Sequence, residues 1–343
     1  MKKICSAIFN IAIILLAFSL LTMLFMPKYV DKNVDGRITA EFYREKDNID
    51  VIFIGSSTVQ ADISPMVLYQ EGNIKAYNRS NSSQVIPLSY YMAKDAIKRK
   101  KPKLIICDVG FIYQSDDYID EGASRKSLDS MRWSVDKYNA IKAMLGSEEH
   151  FIDYVFPILR FHSRWNDLSI EDIKYLLYKP TVTYNGQLLD FRTIEENRIY
   201  DPYSLDETII ASDRNMKYLE DLSKLCRENN IELALIKLPM VNGNWNRNLD
   251  EQIQIFADSN DISYKSFIDD FDSIGLDMYS DFHDVQHMNS YGAEKFTKVL
   301  YKYIVDNYEL SIDGGTKTFD KKLERYKNAF NNKIPSERVD DGI

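Results

Sequence analysis

The chain has 343 residues, 45% apolar and 28% charged, a balance that can bury a sizeable core and excludes a disordered chain. Its 52 acidic against 43 basic residues leave a formal charge of -9, which excludes broad nucleic-acid binding because that needs a dominant basic surface. The three cysteines, Cys5, Cys107 and Cys226, form no CxxC pair and no disulfide framework, so no redox motif or cysteine-ligated metal is expected.

The N-terminal stretch decides the compartment. Behind Lys2 and Lys3, Ile4 to Met26 is an apolar run of 23 residues interrupted only by Cys5, Ser6, Asn10, Ser19 and Thr22. About 20 helical residues cross a hydrocarbon core of roughly 30 Å. The two lysines favour a cytoplasmic N-terminus. The residues before Pro27 read TMLFM and lack a small-x-small cleavage pattern. A single-pass cell-membrane anchor over residues 1–26 is therefore predicted, with the rest of the chain extracytoplasmic; a cleaved signal peptide is the alternative.

Residues 27–48 read as a polar connector that lifts the folded domain off the bilayer. Val51 to Ile54 is a buried strand that stops at Gly55 and is followed by Ser56, Ser57 and Thr58. Ser64 caps a helix that starts at Pro65. Lys75 to Tyr77 reads as a short strand leading into the polar loop Asn78 to Gln84. A helix over Leu88 to Lys98 and a strand over Leu104 to Val109 follow. This alternation predicts an α/β fold, a three-layer parallel sheet flanked by helices. In such sheets the carboxyl ends of the strands form the functional crevice, and Gly55, Asn78 and Asp108 fall there.

From about 114 to 213 the alternation weakens into a large, mostly helical insertion. Helices are predicted over 134–145, 148–159 and 170–177, and a hairpin over 182–193 turning at Asn185 and Gly186. The stretch reads as a cap walling a substrate groove, with Tyr113, Tyr118, Tyr178 and Tyr184 as lining residues; a lipid-facing or partner-facing surface is the alternative. The alternation resumes with a helix over 215–228, a strand over 231–238, a helix over 250–258, a strand over 264–267 and a last core helix over 291–305. The extracytoplasmic domain thus covers 49–308, and residues 309–343 form a tail of open placement.

Serine attack on an acyl carbon needs a base to take its proton and an acid to orient the base. Asp284 and His287, three residues apart before the last helix, supply that pair. A metal reading uses Asp281, His283, Asp284 and His287 as ligands, but it leaves the serine turn unexplained and lacks an HExxH helix. A purely architectural reading makes His287 a helix cap and GSST a plain turn.

These residues resemble the SGNH or GDSL-type hydrolases. FIGSST, Phe53 to Thr58, is similar to the first block of that superfamily, with Ser57 at the nucleophile position. DVQH, Asp284 to His287, is similar to its closing block, with Asp284 as orienter and His287 as base. MNSYGAEKF resembles the extension in membrane-anchored members that modify cell-surface polymers, the DltD-like and alginate-acetylation-like branch. The resemblance implies backbone oxyanion donors at Ser57 and near Arg79 or Ser80, although Ser80 stands where a glycine is common. The third block normally offers an asparagine, and DVGF, Asp108 to Phe111, has none; Asn78 or Asn81 is the substitute the sequence provides.

A further cluster, RFHSRW, places Arg160, His162, Arg164 and Trp165 together, suited to an anionic headgroup or a sugar face. The expected function is a membrane-anchored serine esterase or O-acyltransferase acting on a cell-surface glycopolymer or acyl-sugar, without cofactor or metal. The resemblance adds a multispanning membrane acyltransferase as a possible partner. The non-catalytic alternative is an envelope polymer-binding or assembly factor of the same fold.

Overall fold

A computed structural model of the chain describes residues 2–27, 35–177, 181–194 and 198–336. The apolar run becomes α1 (Lys2–Phe25), the one helix among the described residues long and apolar enough to cross a membrane.

The connector departs from expectation. Residues 28–34 lie outside the described residues, but the remainder forms α2 (Asp35–Arg44), whose Ile38 and Phe42 are fully buried. Burial of this charged helix is tolerated because its polar groups find partners. Glu41 accepts the Val182 N–H at 2.7 Å and the Thr183 hydroxyl at 2.5 Å. The segment is therefore part of the core and not a spacer.

Next come β1 (Val51–Ile54), α3 (Ser57–Asp62), α4 (Pro65–Gly72), β2 (Ala76–Asn78), α5 (Ile86–Lys100) and β3 (Leu104–Asp108). Ser64 caps α4 as predicted, accepting the Val67 N–H at 3.4 Å. The insertion contributes α6 (Glu121–Leu128), α7 (Val135–Ala143), α8 (Phe151–Val155), α9 (Ile158–Phe161), a 3-10 turn over His162–Asn166, and α10 (Ile170–Leu177). Pro157 divides the helix expected over 148–159 because its ring and missing N–H interrupt helical bonding. The chain closes with α11 (Asp213–Glu228), β4 (Glu232–Lys237), α12 (Arg247–Asn260), β5 (Ser263–Ser266), α13 (Phe271–Ile274), α14 (Ser290–Asn307) and α15 (Lys317–Asn331).

The five strands pair in parallel in the order β2-β1-β3-β4-β5. Both faces are covered, which is why β1 and β3 are apolar at almost every position. Alternation sends Ile52, Ile54, Ile105 and Cys107 into one core and Val51, Phe53, Leu104 and Ile106 into the other. The chain leaves β1 toward β2 and then returns to pair β3 on the other side. Ser57 follows β1, so it stands at the carboxyl edge where the order reverses, the place such sheets leave open for a ligand.

Residues 182–194 do not cap a groove; they seal the sheet. The expected hairpin reduces to one bridge, Tyr184 with Gln187, around a turn in which Asn185 and Gly186 have φ of 53° and 89°. Asn78 donates its N–H to the Asn185 carbonyl at 2.9 Å, and the Asn185 amide donates to the Ala76 carbonyl at 3.0 Å. Exposed edge strands invite pairing with other chains, and this turn occupies the β2 edge. Gly186 is required there, since a Cβ would collide with the Asn78 carbonyl. Tyr184 is buried against Tyr326, and Tyr178 lies outside the described residues.

The tail also joins the core. In α15, Phe319 and Tyr326 are buried, and Tyr69 donates its hydroxyl to Asp320 at 2.7 Å. Residues 337–343 are outside the described residues.

Candidate active site

Strand β1 delivers the nucleophile candidate. It ends at Gly55, where the chain must pass close to two neighbours: a Cβ there would lie 2.6 Å from Val59 Cγ2 and 2.9 Å from Asp108 Cβ. Helix α3 then begins at Ser57. Of the two neighbouring serines, Ser56 is 2% exposed and turns inward. Its hydroxyl lies 2.9 Å from the Thr58 hydroxyl, which donates to Asp108 Oδ2 at 3.2 Å. Ser57 turns outward and its Oγ sits 2.7 Å from His287 Nε2.

The second half of the site is a self-closing loop between α13 and α14. Phe282 and Met288, both fully buried, pair across it in an antiparallel bridge. The His283 N–H donates to the His287 carbonyl at 3.0 Å, and Val285 accepts the N–H groups of Val241 and Asn242 at 3.0 and 3.1 Å. Asn289 caps α14 by accepting the N–H groups of Tyr291 and Gly292 at 3.0 and 3.2 Å. With both ends pinned, Asp284 and His287 are forced side by side.

His287 Nδ1 lies 2.9 Å from each oxygen of Asp284. Asp284 also accepts the backbone N–H groups of Gln286 at 2.8 Å and His287 at 2.9 Å. Burial pushes the Asp284 carboxyl up, but its contacts with His283 and His287 and the Gln286 N–H outweigh it and hold the group well below the usual carboxylate range. An ionised Asp284 fixes the proton of His287 on Nδ1 and leaves Nε2 as the acceptor facing Ser57.

Two further residues complete the site: Asp62, which no local sequence pattern marks, and His283, considered above only as a metal ligand. Asp62, five residues after Ser57 and fully buried, accepts the Met288 N–H at 2.8 Å and so binds the serine helix to the histidine loop. His283 flanks Asp284 from the other side, with its Nε2 3.4 Å from Oδ2 and its Nδ1 donating to the Met288 carbonyl at 3.1 Å. Its ring is nearly parallel to that of His287, with centroids 5.4 Å apart. Beneath the site, burial pushes Asp62 and Asp108 up and Lys237 down, while the opposite charges of Lys237 and the two carboxyls partly restore the ionised forms.

The expected oxyanion donors separate into those available and those spent. The Ser57 N–H opens α3 and has no intrahelical acceptor. The Ser80 N–H, just past the β1–β2 ladder, has no acceptor among the described residues, but Ser80 is fully buried and its carbonyl accepts Gln60 Nε2 at 3.1 Å, so the folded chain does not present it to a substrate. Arg79 and Asn78 do not serve this role. The Arg79 N–H is committed to the Phe53 carbonyl at 2.7 Å, and its fully buried guanidinium donates to Thr39 at 2.6 Å over the Phe42 ring. The Asn78 amide donates to the carbonyls of Val59 and Ile63, each at 2.8 Å. Asn81, the other substitute, donates its amide to Gln84 at 2.9 Å.

The metal reading loses one ligand. His283, Asp284 and His287 have donor atoms within 4.8 Å of one another, but Asp281 is engaged by Lys295 at 2.7 Å and by the Asp277 N–H at 2.8 Å. Both ring nitrogens of His287 are occupied by Ser57 and Asp284. The proposed substrate-binding cluster is also placed elsewhere. Arg160 pairs with Glu121 at 2.8 Å, the His162 ring is 2.9 Å from the Leu159 carbonyl, Arg164 donates to the Phe25 carbonyl at 2.5 Å, and Trp165 is exposed. Among the described residues none of these four touches Ser57, Asp284 or His287. They gather at the end of α1.

No family model matches the chain. No curated protein matches it. Solved structures do show similarity. A protein described as an acylhydrolase from Bacteroides fragilis is 11% identical, with 79% of this chain and 95% of that one aligned and a TM-score of 0.38. A protein described as lipolytic, of the G-D-S-L family, from Desulfitobacterium hafniense is 12% identical over 75% of this chain and 100% of that one, with a TM-score of 0.38. A GDSL-like lipase from Bacteroides thetaiotaomicron is 11% identical over 80% and 98%, with a TM-score of 0.39. Likenesses this distant assign no activity to the chain.

Proposed function

We propose that this chain is a membrane-tethered serine esterase or O-acyltransferase whose triad is Ser57, His287 and Asp284. The observation that carries the reading is the unbroken line from Ser57 Oγ to His287 Nε2 at 2.7 Å and from His287 Nδ1 to Asp284 at 2.9 Å. His287 takes the Ser57 proton as Oγ attacks the acyl carbon, and Asp284 stabilises the imidazolium that forms. The Ser57 N–H, which opens α3 without an intrahelical acceptor, receives the developing oxyanion. Collapse of the tetrahedral intermediate expels the alcohol, which takes the proton from Nε2 and leaves an acyl-Ser57 ester. Water or an acceptor hydroxyl then repeats the sequence in reverse, so hydrolysis and transfer use the same residues and differ in what reaches the ester.

The acyl-bearing substrate in this reading is a cell-surface glycopolymer or acyl-sugar. Support comes from the apolar N-terminal helix, which, retained as a span behind Lys2 and Lys3, carries the serine to the outer face. Transfer outside the cell further requires an activated acyl donor delivered across the membrane, the task of a multispanning partner. The test is to treat the full chain in detergent with a serine-reactive fluorophosphonate and locate the adduct by mass spectrometry. Labelling at Ser57 that disappears in His287→Ala is expected; no labelling, or an adduct at Ser56, overturns the assignment.

A further inference from the structure

Helices α9 and α10 and the 3-10 turn between them pack against α1, and Phe156, at the C-terminal end of α8, reaches it as well. The rings of Phe18 and Phe156 meet edge to face at 5.5 Å. At the end of α1, Arg164 donates to the Phe25 carbonyl at 2.5 Å and lies 3.4 Å from Asp172. That carbonyl is one of the terminal acceptors that a helix leaves without an internal partner. Asp172 also accepts the Ser169 N–H at 3.0 Å, so one buried polar hub fastens the insertion to the helix end.

Depth follows from helix geometry. Phe18 precedes Phe25 by seven residues, about 10 Å along the axis at roughly 1.5 Å per residue. With Lys2 and Lys3 at one surface, a hydrocarbon core of roughly 30 Å reaches to the early twenties of the chain. Phe18 then lies within it, and so does the Phe156 ring packed on it.

The same segment exposes a set of large apolar side chains. Ile152, Phe156, Leu159, Trp165, Ile170 and Ile173 are all at least 40% exposed, and Leu177 is 91% exposed. In α10 the exposed Ile170, Ile173 and Leu177 follow a spacing of three and four, one face of a helix whose Asp172 turns inward. Large apolar patches on a soluble surface mark an interface. This one stands on helices packed against α1, whose own Ile14 and Leu21 are exposed, and that attachment to an apolar helix of membrane-spanning length points to lipid as its occupant.

We propose that residues 151–177 form an interfacial membrane platform clamped to the outer end of α1, with the apolar side chains of α8 to α10 in the acyl boundary and Trp165 at the headgroup level. The proposal rests on reading α1 as a retained span. It gives the catalytic domain two attachments to the bilayer, so the domain is held against the surface instead of swinging on a single tether.

The test uses the full chain reconstituted into vesicles of phosphatidylcholine and phosphatidylglycerol. Single cysteines replace Leu15, Leu159, Ile173 or Lys217 in a Cys5→Ser background, Cys107 and Cys226 being buried. Each carries an environment-sensitive dye, and quenching by acyl-chain nitroxide lipids is compared with quenching by iodide. Strong nitroxide quenching at 159 and 173, several-fold above that at 217 on the exposed face of α11, is expected. Quenching at 15 alone overturns the platform while leaving the span intact. Absence of quenching at 15 as well overturns the span and the platform with it. Protection of 173 from both quenchers overturns lipid as the occupant in favour of a second protein surface.

Discussion

The Met288 N–H donates to Asp62 Oδ1 at 2.8 Å across a separation of 226 residues, joining the helix that begins at Ser57 to the loop that holds His287. Asp62→Ala removes the acceptor of a buried donor, at a cost of about 1–3 kcal/mol. It is expected to slow fluorophosphonate labelling of Ser57 well beyond the loss in fold stability, because the two halves of the site lose their register. Asp62→Asn keeps an oxygen for the Met288 N–H and is expected to retain most labelling. Equal damage by both substitutions would show that the buried charge, and not the tie, is what counts.

Asp284→Asn preserves size while exchanging the acceptor facing His287 Nδ1 for an amide. The expected loss in labelling rate is on the order of a thousand-fold or more, as for a triad left in the wrong tautomer. Ser56→Ala is expected to leave the rate within a few-fold of the parent, since Ser56 faces Thr58 and Asp108. A Ser56→Ala protein as inactive as Asp284→Asn would reassign the nucleophile.

Lys137 tests the electrostatics of the insertion. Burial, relieved in part by Asp129 and reinforced by Arg125, lowers its amine from the ordinary 10.5 to about 8. Between those values the unfolded chain holds a proton that the folded chain has lost, so stability rises as pH climbs from about 8 toward 10.5. The difference is worth on the order of 3 kcal/mol. Lys137→Met is therefore expected to raise the melting temperature at pH 7, with an advantage that shrinks above about pH 8. A pH-independent difference between the two proteins would contradict the burial of a charged amine.

Gly186→Ala places a methyl group against the Asn78 carbonyl at a residue with φ of 89°. A loss of about 1–3 kcal/mol from the backbone conformation alone is expected, with the steric collision adding to it. Thermal unfolding of the full chain in detergent measures it, and a melting temperature equal to that of the parent would show that the turn is not seated on β2.

The sheet was legible because strands buried on both faces advertise themselves: VIFI and LIIC have no other economical reading. The candidate site was legible for a different reason: Ser57 follows directly on β1, and Asp284 and His287 stand three residues apart in the loop that leads into α14. Helix α2 was missed because its burial depends on only Ile38 and Phe42 within charged surroundings, and Glu41 is neutralised by a segment 141 residues away. Helix α15 did carry a signal, Phe319, Leu323, Tyr326 and Phe330 at helical spacing, obscured by the polar residues between them. Arg79 misled because it stands in the loop where the resemblance implies a backbone oxyanion donor. Its actual partners, Thr39, Asp95 and the Phe42 ring, come from elements that no local pattern connects to it.

The seal on β2 has a temporal consequence. Ala76 and the Asn185 that covers it are 109 residues apart, so a growing chain makes the β2 edge well before its cover. At synthesis rates of about 5–20 residues per second, that edge stands bare for roughly 5 to 20 seconds. Chains terminated between residues 110 and 180 would hold β1 to β3 without the turn that covers β2 or the β4 that covers β3, and these fragments, more than any point variant of the finished protein, are expected to associate strand to strand.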